Sequence, residues 1–214
     1  LSAALAFATF SVIVGIGQMY VITLGPGNVD LSIPATMTFA GAVSMKIMDT
    51  QNDMIAPGLL IALGCGVAVG CFNYGLIRLL RIPPIIATLS SSFLVQSSAI
   101  AYGRGLKIKP PPLLADFATT KVLGVPVLAL CVIGLAIVMS IVLHRTVFGK
   151  SVLAIGQNPR AAFLAGIKVD FIRFSTYVLA AVLAGLCGYL LSGFSGGASL
   201  NMGAEYLLAS IAVV

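Results

Sequence analysis

The sequence predicts an all-α fold, a polytopic bundle of transmembrane helices with about seven membrane segments, and three observations carry that reading. Of 214 residues, 59% are hydrophobic and 8% charged, and the mean hydropathy is +1.11, which is more apolar surface than a soluble core hides. The apolar residues fall into runs approaching the roughly 20 residues that cross a bilayer, separated by short polar or Gly/Pro-containing breaks. Runs such as 59–80 and 127–143 are apolar on every side, whereas a barrel strand alternates with period two over about 10 residues.

The expected spans are 5–24, 31–45, 57–77, 84–101, 126–143, 174–191 and one opening near Tyr206. The first lacks the charged leader and small-residue cleavage site of a removable signal, so it is read as a span. Gly25-Pro26-Gly27 ends it, because proline removes a donor and glycine loosens the backbone. The next run is short, and the acidic 49–53 loop after it is placed outside. Arg78 and Arg81 place the loop after the third span in the cytoplasm. Alternation then makes 102–125 external despite Arg104, Lys107, Lys109 and Lys121. Pro110–Pro112 within it is expected to form a stiff extended turn rather than helix. Arg145, Lys150, Arg160, Lys168 and Arg173 return the chain to the cytoplasm. Gly66 with Gly70, and Ala184 with Gly185 and Gly188, are placed for close helix packing. The chain opens at Leu1 and stops at Val214 within apolar runs, so both ends are expected to be truncated.

Several function classes drop out. Cys65, Cys71, Cys131 and Cys187 lie in apolar runs without metal or redox spacing. The net charge of +6 records cytoplasmic loops rather than nucleic-acid binding. No Gly-x-x-x-x-Gly-Lys-Ser/Thr loop is present, so ATP is not bound by that route. His144, beside Arg145, has no nearby carboxylate in sequence and is read as interfacial.

The segment 145–173 is the most informative. Asn158 suits an N-cap, Pro159 the first helical position and Gly166 a left-handed exit, which specifies a helix of about two turns. So short a helix does not persist alone in water. Phe163, Leu164 and Ile167 offer an apolar face for a partner groove. Arg160 and Lys168 equally suit a helix lying on anionic membrane lipid.

Gly149-Lys150-Ser151-Val152-Leu153-Ala154-Ile155-Gly156-Gln157-Asn158-Pro159-Arg160-Ala161-Ala162, followed by Ala165-Gly166-Ile167, resembles the cytoplasmic loop of ribose/xylose-type ABC permeases. The resemblance extends through Val29-Asp30-Leu31-Ser32, Ile86-Ala87-Thr88-Leu89, Tyr177, Ala184-Gly185, Gly188 and Gly203 to Ile211-Ala212-Val213-Val214, nearly the whole chain. Branched-chain amino-acid permeases share the later half. Where many sugar-type relatives read Tyr-Glu-Leu-Asp, this chain has Glu205-Tyr206 transposed and Leu208 for the Asp, so no role of that Asp transfers. The resemblance implies that 1–214 is a single permease domain of a bacterial inner-membrane importer. It implies that Gly156, Asn158, Pro159, Ala161, Ala162, Phe163, Leu164, Gly166 and Ile167 belong to an ATPase-coupling loop. It also implies cytoplasmic ATP-binding subunits that carry ATP and Mg, a second permease copy, identical or not, and a periplasmic or extracellular sugar-binding protein. The chain itself is then expected to need no cofactor and to catalyse no reaction.

Two regions are expected near a solute pathway. Asn28, Asp30 and Ser32 occupy the break after the first span, where interrupted helices mark transport sites, although Asp30 and Ser32 suit a helix cap as well. Thr88, Ser92 and Gln96 recur every four residues and form one helix face, fit either to pass a polyol or to bond neighbouring helices. Asn73 and Gln18 carry the same two readings. The function expected is import of a ribose- or xylose-like sugar, with a branched-chain amino acid as the alternative. An ion-coupled transporter stands behind both, since Asp30 and Glu205, the carboxylates it would use, lie beside glycine-rich breaks.

Overall fold

The computed structural model describes residues 2–103, 109–122 and 124–212, with side chains described from residue 5 onward. Arg104 and Lys107 of the expected external loop, and Val213-Val214, lie outside the described residues. Ten α-helices are described: α1 (Ser2–Thr23), α2 (Ile33–Met48), α3 (Ile55–Leu79), α4 (Pro84–Gly103), α5 (Pro112–Thr119), α6 (Val127–Arg145), α7 (Val147–Gln157), α8 (Pro159–Leu164), α9 (Val169–Phe194) and α10 (Tyr206–Ala212).

Among the described residues, five helices are long and apolar enough to cross a membrane: α3, α4, α6, α9 and the 5–23 part of α1. The other two expected segments correspond to α2 and to α10, the last described helix. Helix α2 has 16 residues, short of a bilayer crossing, and it is sheathed by α3, α4 and α9 instead of lipid. Helix α10 is described over Tyr206–Ala212 and packs on α1.

Helix α9 is the axis of the bundle, with α1, α2 and α3 packed around it. Glycine sets the spacing. A Cβ at Gly70 would lie 2.6 Å from the Val178 Cα, and one at Gly188 would collide with the Met37 carbonyl, so the backbones of α3 and α2 approach α9 directly. This is the packing expected of small residues in membrane helices. Phe10, Ile13, Tyr20, Leu24, Ile33, Met37, Tyr177 and Leu183 fill the core. Tyr20 donates its hydroxyl proton to the Met139 carbonyl at 2.6 Å, pinning α1 to α6.

The two basic ends expected in the cytoplasm meet, as Arg78 at the end of α3 pairs with Asp170 at the start of α9 at 3.1 Å. At the opposite end, the proline turn is only partly extended. Pro111 is extended (φ −53°, ψ 139°), but Pro112 opens α5 at a position where its missing N–H costs nothing. Helix α5 and the small hairpin pairing Lys121 with Pro126 and Val122 with Val125 are additions to the sequence reading.

Candidate functional site

At the Arg78 end, α8 hangs below the bundle. The Asn158 Oδ1 accepts from the backbone N–H of Arg160 (3.0 Å) and Ala161 (3.1 Å), Pro159 holds the first helical position, and Gly166 turns out at φ +84°. A cap of this kind is worth about 1 kcal/mol. Ala162 is buried, and Ile167 is half-buried against the core, so these two tie α8 to the bundle. Phe163 and Leu164 point away, 68% and 80% exposed. Phe163 also walls an open groove of about 560 Å³ with Pro159, Arg160, Lys168, Val169, Asp170 and Phe171. Gly156, Asn158, Pro159 and Ala161 complete the expected loop along α7 and α8.

The broken hairpin forms a buried polar cluster. Asp30 Oδ1 accepts from the Ser32 N–H (2.8 Å) and the Ser32 hydroxyl (2.7 Å), and the Asp30 N–H donates to Gln18 Oε1 (3.3 Å). Asn73 on α3 donates to Ser32 Oγ (2.7 Å). The Leu31 N–H donates to Thr88 Oγ1 (3.1 Å), whose own proton reaches the Val29 and Pro84 carbonyls. The Tyr177 hydroxyl donates to Asn28 Oδ1 (3.3 Å). Asp30, Ser32, Gln18, Asn73 and Thr88 are all fully buried. Ser32 therefore spends its hydroxyl on Asp30 and does not cap α2 with its side chain. Burial pushes the Asp30 carboxyl above the usual aspartate range, opposed by its two bonds from Ser32.

The remaining stripe residues open onto space. Ser92 and Gln96 line a cleft of about 360 Å³ with Leu31, Pro34, Thr38 and Asn201 among its other walls. The segment after α9 folds back to close it: Gln96 Nε2 donates to the Leu200 carbonyl at 2.7 Å, and Gly203 lies so tightly on the Pro34 carbonyl that no side chain fits. All of the cleft's lining side chains are uncharged. Thr38 and Asn201 escaped the sequence reading, because neither belongs to a periodic polar face. The glycines at 196, 197 and 203 flanking Asn201 were the available signal.

Residues 1–214, the entire chain, match the family described as branched-chain amino acid transport system / permease component. The chain belongs to this permease family. Among its curated relatives are the autoinducer 2 import system permease protein LsrD of Photorhabdus temperata, 28% identical over 195 residues, and LsrD proteins of Escherichia coli K12 and Shigella flexneri at the same identity. Each alignment covers 88% of this chain and 58% to 59% of the relative, so the chain spans under two thirds of the relatives' length. No solved structure matches. The permease is a multi-pass membrane protein, and the similarity to import-system permeases expected from the 149–167 loop holds.

Proposed function

We propose that this permease is the membrane-spanning subunit of an ATP-driven importer in the bacterial inner membrane, and that its cargo is a small neutral polyhydroxylated solute of the sugar class. The observation that carries the reading is α8. A six-residue helix cannot sustain itself alone in water, yet this one is capped at both ends, anchored by Ala162 and Ile167, and presents Phe163 and Leu164 outward. That is a rigid apolar knob suited to a groove on a cytoplasmic ATP-binding subunit, where ATP and Mg would reside. The family membership and the relatives' import-system names support it.

The uncharged cleft supports a neutral solute. Ser92, Thr38, Gln96 and Asn201 offer hydroxyl and amide partners that exchange readily with a polyol. An amino acid would bring an ammonium and a carboxylate, for which these side chains supply no counter-charge. In the full transporter a second permease copy would complete the pathway and an external binding protein would deliver the solute.

The test is co-purification from membranes of the full-length protein with and without Phe163→Asp. The unsubstituted permease should bring down an ATP-binding subunit, and the aspartate, buried unpaired in an apolar groove, should weaken that association by about 100-fold or more. Absence of any ATP-binding chain with the unsubstituted protein would overturn the importer reading. It would favour ion coupling, for which buried Asp30 is the first residue to test.

A further inference from the structure

The turn between α1 and α2, residues 24–32, touches both regions described above. At its start, Gly25 adopts φ +108° and sits against the backbone of Gly156 at the end of α7, with a Cβ on Gly25 reaching the Gly156 carbonyl at 3.3 Å. On the reciprocal side Gly156 faces the Thr23 carbonyl with no space for a Cβ. At its end, Leu31 lines the cleft and its N–H is held by Thr88. Between these points the turn is tied to α9 through Asn28 and Tyr177, to α1 through Gln18, and to α3 through Ser32 and Asn73.

We propose that this turn is the mechanical joint between the α7–α8 end and the solute cleft, and that Asp30 is its positioning residue. The inference rests on the importer reading, since it needs a partner that moves α8. Glycine backbone against glycine backbone has no side chain to absorb a displacement, so movement of the end of α7 passes straight to residues 23–25. Asp30 then fixes how the turn responds, because its Oδ1 holds both polar hydrogens of Ser32, and Ser32 holds Asn73. Three atoms of the cluster, Asp30 Oδ2, Asn73 Oδ1 and Gln18 Nε2, are buried without a partner among the described residues. The arrangement therefore leaves hydrogen-bonding capacity unused, which a second pairing of the same side chains would take up. Two discrete arrangements are what a coupling element requires.

The test uses the full-length permease assembled with its ATP-binding subunits and solute-binding protein in lipid vesicles. Three quantities are read: co-purification of the ATP-binding subunit, solute uptake, and ATP hydrolysis with and without solute-loaded binding protein. Asp30→Leu should keep the ATP-binding subunit bound, lower uptake by about 10-fold or more, and make hydrolysis insensitive to solute, and Gly156→Ala should lower uptake in the same way. Asp30→Asn should restore uptake and solute-sensitive hydrolysis, because its amide oxygen still accepts from the Ser32 N–H and hydroxyl. Should Gly156→Ala fail to insert, the two Asp30 variants decide. Normal uptake in Asp30→Leu, or equal loss in Asp30→Leu and Asp30→Asn, would overturn the joint while leaving the importer reading intact. Failure of the unsubstituted protein to retain an ATP-binding subunit would overturn both.

Discussion

The two turns at the Arg78 end of the bundle are built on opposite principles. The α8 turn is specified locally: cap, first-position proline and exit glycine lie within nine consecutive residues, from Asn158 to Gly166, and the result is exposed. The α1–α2 turn is specified from a distance, by Gln18, Asn73, Thr88 and Tyr177 on four different helices, and its polar residues Asn28, Asp30 and Ser32 are buried. A surface meant to meet a partner has to keep its shape before the partner arrives, and local hydrogen bonds achieve that without tertiary help. A turn in the interior has no water to satisfy its backbone, so its N–H groups must find side chains on neighbouring helices.

This contrast predicts unequal costs. The largest belongs to Asp30→Leu, which strips the buried Ser32 N–H and hydroxyl of their acceptor. About 2–4 kcal/mol of stability should be lost, visible as a lower thermal unfolding midpoint in detergent. Asn158→Ala should cost about 1 kcal/mol and only locally. Exchange of the Arg160 and Ala161 amide hydrogens should quicken several-fold, with the global midpoint barely moved. Equal global destabilisation by the two variants would erase the distinction between the turns.

A titration sharpens the comparison further. Burial raises the Asp30 pKa above its unfolded value of about 3.9, so the folded state holds that proton more tightly than the unfolded state does. Its stabilising contribution is complete below the unfolded value and is lost as pH climbs through the raised folded one. Gln18, Ser32, Asn73 and Thr88 around it carry no charge, and the group facing it from α9 is the Tyr177 phenol. The unfolding midpoint should therefore fall as pH rises from about 4 toward neutrality. Asp30→Asn should flatten that slope, whereas Asn158→Ala should leave it unchanged.

The same contrast explains what was legible in the sequence. The helical class, the break at 25–30 and the whole of α8 rest on hydropathy, glycine, proline and capping, all of which act within a few residues. Ser32 stands at the N-cap position of α2, and only the fold shows its hydroxyl turned back to Asp30 instead of capping the helix. Thr88, Ser92 and Gln96 share one helix face in any reading. What that face meets separates them: Thr88 is consumed by the α1–α2 turn, while Ser92 and Gln96 border open space. The setting of α2 is likewise illegible locally. Its 16 residues are sheathed by α3, α4 and α9, and that sheathing is a long-range property that no local signal shows.

The smallest effect is expected at the ion pair beside the exposed turn. Arg78 and Asp170 are 58% and 61% exposed at 3.1 Å, and water screens such a pair to about 0–1 kcal/mol. Asp170 also accepts from the Tyr74 hydroxyl at 3.3 Å, so its loss would remove a second contact. Arg78→Gln therefore isolates the charge term better than any change at Asp170. Its midpoint should differ from that of the unsubstituted protein by a degree or two at low salt and coincide with it near 1 M salt, where the screening length is about 3 Å. A shift that survives high salt would mean that the Arg78 end is held by buried charge, and would place it with the α1–α2 turn rather than with α8.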